Sequence, residues 1–186
     1  PARFDVIAVD WDADGTARRM HLVAPHAGGN FLSLSATTLN TAYGGEPVQA
    51  GSETTRLLGV EFVQPWLALS GVRVPLSPDG SVYVPYRAGQ PFAYVSVADV
   101  MAKRIPAEQL EGRILLLGST APGLSDLRVT PFSNAFPGVE IHANLIAGML
   151  DGSTRHTPAW ADAARLALVL ALGALIGFVL WRFSPL

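Results

Sequence analysis

Residues 112–152 read GRILLLGSTAPGLSDLRVTPFSNAFPGVEIHANLIAGMLDG. The run Arg113–Leu117 is short, apolar and ended by Gly118, which predicts a strand buried on both faces. Residues 118–137 mix Gly, Pro and Ser and predict a long loop. Helical periodicity then runs from Gly138 to Leu150 and stops at Asp151-Gly152. On a 3.6-residue period Val139, His142, Ala143, Ile146, Met149 and Leu150 share one face, with Glu140, Asn144 and Gly148 roughly opposite. His142 is therefore expected to point inward, where an imidazole needs hydrogen-bond partners or costs roughly a few kcal/mol. Asp126, Ser119 and Thr120 in the preceding loop are the partners the sequence offers.

Downstream, Leu166–Trp181 (LALVLALGALIGFVLW) carries no charge over 16 residues. At ~1.5 Å per residue it spans roughly 24 Å, and roughly 31 Å when extended back to Ala161, against a hydrocarbon core near 30 Å. A helix in a soluble core normally keeps a polar stripe, and this one has none. The expectation is a transmembrane helix over residues 159–183, flanked by Arg165 and Arg182 with Trp160 and Trp181 at the interfaces. Residues 153–158 read as a linker, and 184–186 as the start of a cytoplasmic or inter-helix segment. Gly173 and Gly177 form a GxxxG pair that permits close helix approach.

Upstream, Phe4–Asp10 predicts a strand and Thr16–Ala24 its hairpin partner, around Asp14-Gly15. Asn30 is placed to cap a helix over Phe31–Tyr43, closed by Gly44-Gly45. Glu46–Pro65 shows little periodicity and reads as a loop. Val72–Leu76 and Val82–Tyr86 flank Ser77-Pro78-Asp79-Gly80 as a second hairpin. Ser96 and Asp99 resemble a capping box for a short helix to Arg104. The whole is an α/β chain: a mixed-sheet domain with flanking helices over residues 1–152, followed by the C-terminal transmembrane helix.

Composition narrows the function. Of 186 residues, 13 are Lys or Arg and 15 are Asp or Glu, for a net charge of −2. That balance offers no basic face for nucleic acid, while the 49% hydrophobic content excludes a charge-extended disordered chain. There is no cysteine, which removes disulfides and thiol catalysis.

At this point a resemblance can be stated. The apolar strand with Gly118, the Gly123-Leu124 plus Asp126 segment, Thr130-Pro131, and Pro137-Gly138-Val139-Glu140-Ile141-His142-Ala143-Asn144 resemble the end of the second class of CHASE domain. This is the cyclase- and histidine-kinase-associated sensory extracellular domain of bacterial receptors. Asp12-Ala13-Asp14-Gly15 with Arg18-Arg19, and Phe92–Val100, resemble its upstream segments. The likeness covers roughly Phe4 to Trp181. The family's domain opens with a membrane helix, strand and helix ahead of the Asp-Gly hairpin, so the resemblance implies that these residues are its C-terminal part. It also implies an extracytoplasmic sensor over residues 1–158, in the bacterial inner membrane and often dimeric. Such a sensor answers an unidentified small-molecule or protein stimulus. It signals to an effector such as a nucleotide cyclase, a histidine kinase or a serine/threonine kinase.

The chemistry offers alternatives. Asp10, Asp12 and Asp14 alternate ahead of Gly15 as in the first half of a calcium loop, but the twelfth position is His21 in place of a bidentate Glu. A simple hairpin turn explains the same letters. Gly118-Ser119-Thr120 is suited to an anion, without the lysine or glycine spacing of a P-loop. Ser119, Asp126 and His142 can be drawn as a hydrolytic triad, yet no G-x-S-x-G elbow surrounds Ser119. The preferred expectation is a non-catalytic chain needing no cofactor. In it Ser119, Thr120, Asp126, Arg128, His142 and Asn144 bind a ligand or brace the loop against the last helix. A hydrolase and a purely structural assembly domain are the rivals.

Overall fold

Asp12-Ala13-Asp14-Gly15 forms the turn its letters predict. The Gly15 N–H donates to Asp12 O at 2.8 Å, the Thr16 N–H to Asp14 Oδ1 at 3.0 Å, and Gly15 sits at φ +75°. The computed structural model describes residues 11–26, 29–89, 91–119 and 126–183, so the strand expected over Phe4–Asp10 lies outside them. After the turn, β1 (Arg19–His21) pairs antiparallel with β7 (Ser81–Tyr83), and β2 (Val23–His26) with β3 (Gly29–Leu32). Helix α1 (Leu34–Ala42) starts later than Asn30 predicts. Phe31 is drawn into β3, and the Ser33 hydroxyl caps the helix by accepting from the Ala36 N–H at 3.3 Å.

The expected loop over Glu46–Pro65 is instead a long hairpin. β4 (Gln49–Leu57) and β5 (Val60–Leu69) pair in full register, Thr54 opposite Val63 and Arg56 opposite Glu61. Its outer half is exposed on both faces, so no inside/outside alternation marks it in the sequence. The Ser77–Gly80 turn forms as expected, the Ser77 N–H donating to Ser81 O at 2.8 Å. Its two arms part, however: β6 (Val72–Pro75) pairs with β5, while β7 pairs with β1. Turn chemistry is local, and pairing follows whichever partner buries the apolar face. Helix α2 (Val97–Met101) is shorter than predicted, and Ser96 caps it without a side-chain hydrogen bond.

Helix α3 (Gly138–Leu150) falls where the sequence puts it, with His142, Ile146 and Met149 of the expected face buried, but its covered surface is wider than expected. Ile141, Leu145 and Met149 are buried against Met20, Leu22, Leu39 and Val82. Asn144 and Gly148, expected on the outer side, are buried as well, and Leu150 is exposed. The helix is covered by α1 on one flank. On another, the chain of residues 84–87 presses Pro85 onto Gly148.

Arg113–Leu117 is the main correction. Among the described residues it pairs with no strand, and it is buried on one side only. Ile114 and Leu116 pack on the core, whereas Leu115 and Leu117 are exposed. Within the loop that follows, β8 (Leu127–Arg128) and β9 (Phe136–Pro137) form a two-residue ladder leading into α3. Helix α4 (Ala161–Phe183) is long and apolar enough to cross a membrane, and none of it is buried. Gly173 and Gly177 lie on its open surface with nothing within 4 Å.

Candidate functional site

The site grows from the first two turns of α3. The Gly138 N–H donates to the Asp126 carbonyl at 2.8 Å. The Asp126 carboxylate lies so close over the same residue that a Cβ on Gly138 would meet Oδ1 at 2.4 Å. A glycine at the start of the helix therefore lets an acidic side chain approach the positive end of the helix dipole. Gly118 does the same for the preceding segment, since its Cβ would lie 2.5 Å from that of Val139. Arg128 reaches back to Asp126 at 3.3 Å and stands 5.4 Å over the Trp11 ring.

One turn deeper, His142 is 2% exposed. Its Nδ1 hydrogen-bonds Ser35 Oγ of α1 at 2.8 Å, so the two helices share a buried polar pair. The Ser35 partner was not legible, because it lies 107 residues away in sequence. Neither Asp126 nor Ser119 supplies that bond. Thr120, like Gly123-Leu124, lies outside the described residues. Ser119 is half-buried and makes no hydrogen bond among the described residues. His142 Nε2 is buried without a hydrogen-bond partner among the described residues. Asn144 belongs to the other flank: its Oδ1 accepts from the Arg87 N–H at 3.0 Å, and its Nδ2 donates to Glu140 O at 2.8 Å. The six predicted residues therefore divide. Asp126, Arg128 and His142 gather about the start of α3, while Asn144 braces residues 84–87.

Burial holds His142 below the ordinary histidine value of 6.5, and the Asp126 charge opposes this more weakly. As pH falls through that value, the unfolded chain takes up the proton and the folded one resists it, so stability declines. Thermal melts are expected to show a loss of stability from about pH 7 to pH 5 that flattens in His142→Asn. An unchanged slope in the variant would assign the loss elsewhere. Asp12 and Asp79, both held below 3.8, act only in a more acidic range.

The calcium reading is replaced by ion pairs. Arg18 binds Asp12 at 2.9 Å and Asp14 at 2.8 Å, and Arg19 binds Asp12 at 2.9 Å and Asp79 at 3.2 Å. Guanidinium groups occupy the oxygens of Asp12 and Asp14 that a cation would need. Asp10 lies outside the described residues.

A groove of about 550 Å³ runs between residues 92–100, the extended segment and α3. Phe92, Val95, Ile114, Leu116 and Val139 line it, and the Tyr94 hydroxyl donates to Glu140 Oε2 beside it. Burial and the Glu140 carboxylate push the Tyr94 phenol up to about 12.

The segment read as a linker is fastened to the domain. The Tyr83 N–H donates to Arg155 O at 2.8 Å, the Thr157 N–H to Ser77 Oγ at 3.0 Å, and the Ala159 N–H to Gln64 Oε1 at 2.8 Å. Gln64 also donates to Leu76 O. This strap, two residues short of α4, ties the apolar helix to strands β5 and β7. Neither Gln64 nor Ser77 stands out in the sequence, since their role exists only once β5 and β6 are paired.

Such an α/β domain, with its last helix strapped into a long apolar helix, is built as a membrane-anchored module. The chain matches the CHASE2 domain over residues 2–179 and belongs to that family. CHASE2 is an extracellular, non-catalytic sensory domain of signalling receptors. No curated protein and no solved structure matches the chain.

Proposed function

We propose that this chain is the signal-input region of a bacterial inner-membrane receptor, with residues 1–158 extracytoplasmic and α4 crossing the bilayer. A small molecule or protein stimulus acts on the region of Asp126, Arg128 and His142, with Ser119 and Thr120 as further contacts. The response is a change in how α3 sits against α1. The strap carries it into α4, and a cytoplasmic nucleotide cyclase or protein kinase receives it. Receptor pairs meet through Gly173 and Gly177, where backbones approach closely. Coupling of this kind requires a stimulus that discriminates between two conformations.

The observation that carries the reading is the strap, because three hydrogen bonds leave little slack between β5, β7 and the residues just ahead of α4. Gln64→Ala removes the last of them at a half-buried position without disturbing the core. Its expected result is faster amide exchange at Ala159 and lost effector response in the full receptor, with the domain's melting temperature nearly kept. A fully responsive Gln64→Ala receptor would remove the strap from the signalling path.

A further inference from the structure

We infer that the tip of the β4–β5 hairpin is a second membrane contact, seated in the outer lipid interface beside α4. The inference rests on α4 crossing the bilayer, as proposed above.

The strap fixes where α4 leaves the domain. It runs antiparallel to β7 at Tyr83–Arg155, then passes Ser77 and ends on Gln64. The Leu76 N–H donates to Pro65 O at 2.9 Å, so Ser77 and Gln64 lie side by side just past β6, at the open end of the sheet. From that end residues 57–64 project beyond the core. Hairpin and α4 therefore leave the domain from one point, and α4, none of it buried, runs away from the core as the hairpin does. Six residues separate Gln64 from Leu58, about 20 Å of strand, and seven separate Ala159 from Leu166, about 10 Å of helix, so a hairpin inclined to α4 reaches the level at which the chain enters lipid.

The tip has the chemistry of an interfacial anchor. Leu57, Leu58, Val60 and Val63 are all exposed, Leu58 completely. Leu58 and Gly59 turn the hairpin at φ +50° and +82°, a geometry in which Asn-Gly is the usual pair. Leucine is a poor residue for that backbone, and it packs on nothing in the domain. Its apolar side chain is accounted for by lipid, while the flanking Arg56–Glu61 ion pair suits the polar side of an interface.

The chain has no cysteine, so single labels are clean. The test places an environment-sensitive dye on Leu58→Cys, and on Leu175→Cys within α4, in vesicles of phosphatidylcholine and phosphatidylglycerol. The Leu58 label is expected to shift to the blue on reconstitution and to lose emission to lipids brominated near the headgroup. The Leu175 label should answer to deeply brominated lipids. A water-like, unquenched Leu58 label beside a quenched Leu175 label overturns the hairpin contact and leaves the α4 reading standing. An unquenched Leu175 label overturns both. A blue shift that depends on protein concentration and not on lipid bromination would assign the tip to a second copy, and so reject the inference. Leu58→Asn, which suits the turn better, is expected to fold at least as stably and so separates lipid contact from folding.

Discussion

Gly148→Ala is expected to destabilise the domain by about 1–3 kcal/mol, the cost of forcing volume into a packed site. In an open helix the same change would stabilise by up to about 1 kcal/mol, since alanine is the better helix former. The clash decides the sign. A Cβ at Gly148 would lie 2.2 Å from Pro85 Cγ, and a proline ring cannot rotate away. Nor can its chain retreat. The Val84 N–H donates to Arg18 O at 2.9 Å, the Tyr86 hydroxyl to Ala17 O at 2.7 Å, and the Arg87 N–H to Asn144. Thermal or denaturant unfolding should register the loss. Gly173→Ala is the matched control, because a Cβ there would meet no other part of the described residues within 4 Å. It should leave the domain's unfolding untouched and act only on contacts between α4 helices. A Gly148→Ala protein as stable as the parent would show that α3 is not clamped by residues 84–87.

His142→Ala is the second large effect, at about 2–4 kcal/mol from the cavity and the lost buried hydrogen bond together. The ring is fully buried, and its removal leaves the Ser35 hydroxyl only a weak contact to Met20 Sδ at 3.9 Å. Ser35→Ala should cost less, about 1 kcal/mol, because it deletes only the hydrogen bond. The double variant is expected to be less damaged than the sum, since the pair's interaction can be lost only once. Strict additivity in that cycle would mean that α1 and α3 do not communicate through these side chains. For receptor output, Asp126→Ala is the gentler probe, since its side chain is 39% exposed and its removal leaves the core intact. It is expected to blunt the response while the protein remains folded.

The glycines show how far the sequence could be read. Gly15 and Gly152 announce turns, and each adopts positive φ where expected. Gly118, Gly138 and Gly148 look like ordinary small residues. Each is needed because another segment, at Val139, Asp126 or Pro85, comes closer than a methyl group allows. Polar residues divide in the same way. Ser33 and the Asp12–Gly15 turn satisfy neighbours within a few positions, so their chemistry is local. Ser35, Gln64, Ser77 and Asn144 serve atoms dozens of residues away. Nothing in their own neighbourhood distinguishes them.

What the residues alone determined is whatever depends on near neighbours and on solvent: the α/β alternation, helix Gly138–Leu150, its inward His142, and an apolar helix fit for lipid. Family membership was legible too, in the block from Gly112 to Gly152. The tertiary structure decided which turns join which sheets, why both sides of α3 are covered, that His142 answers to Ser35, and that the linker is a strap. Those choices follow from burial and hydrogen-bond satisfaction between distant segments, which have no energy until the chain has brought them together.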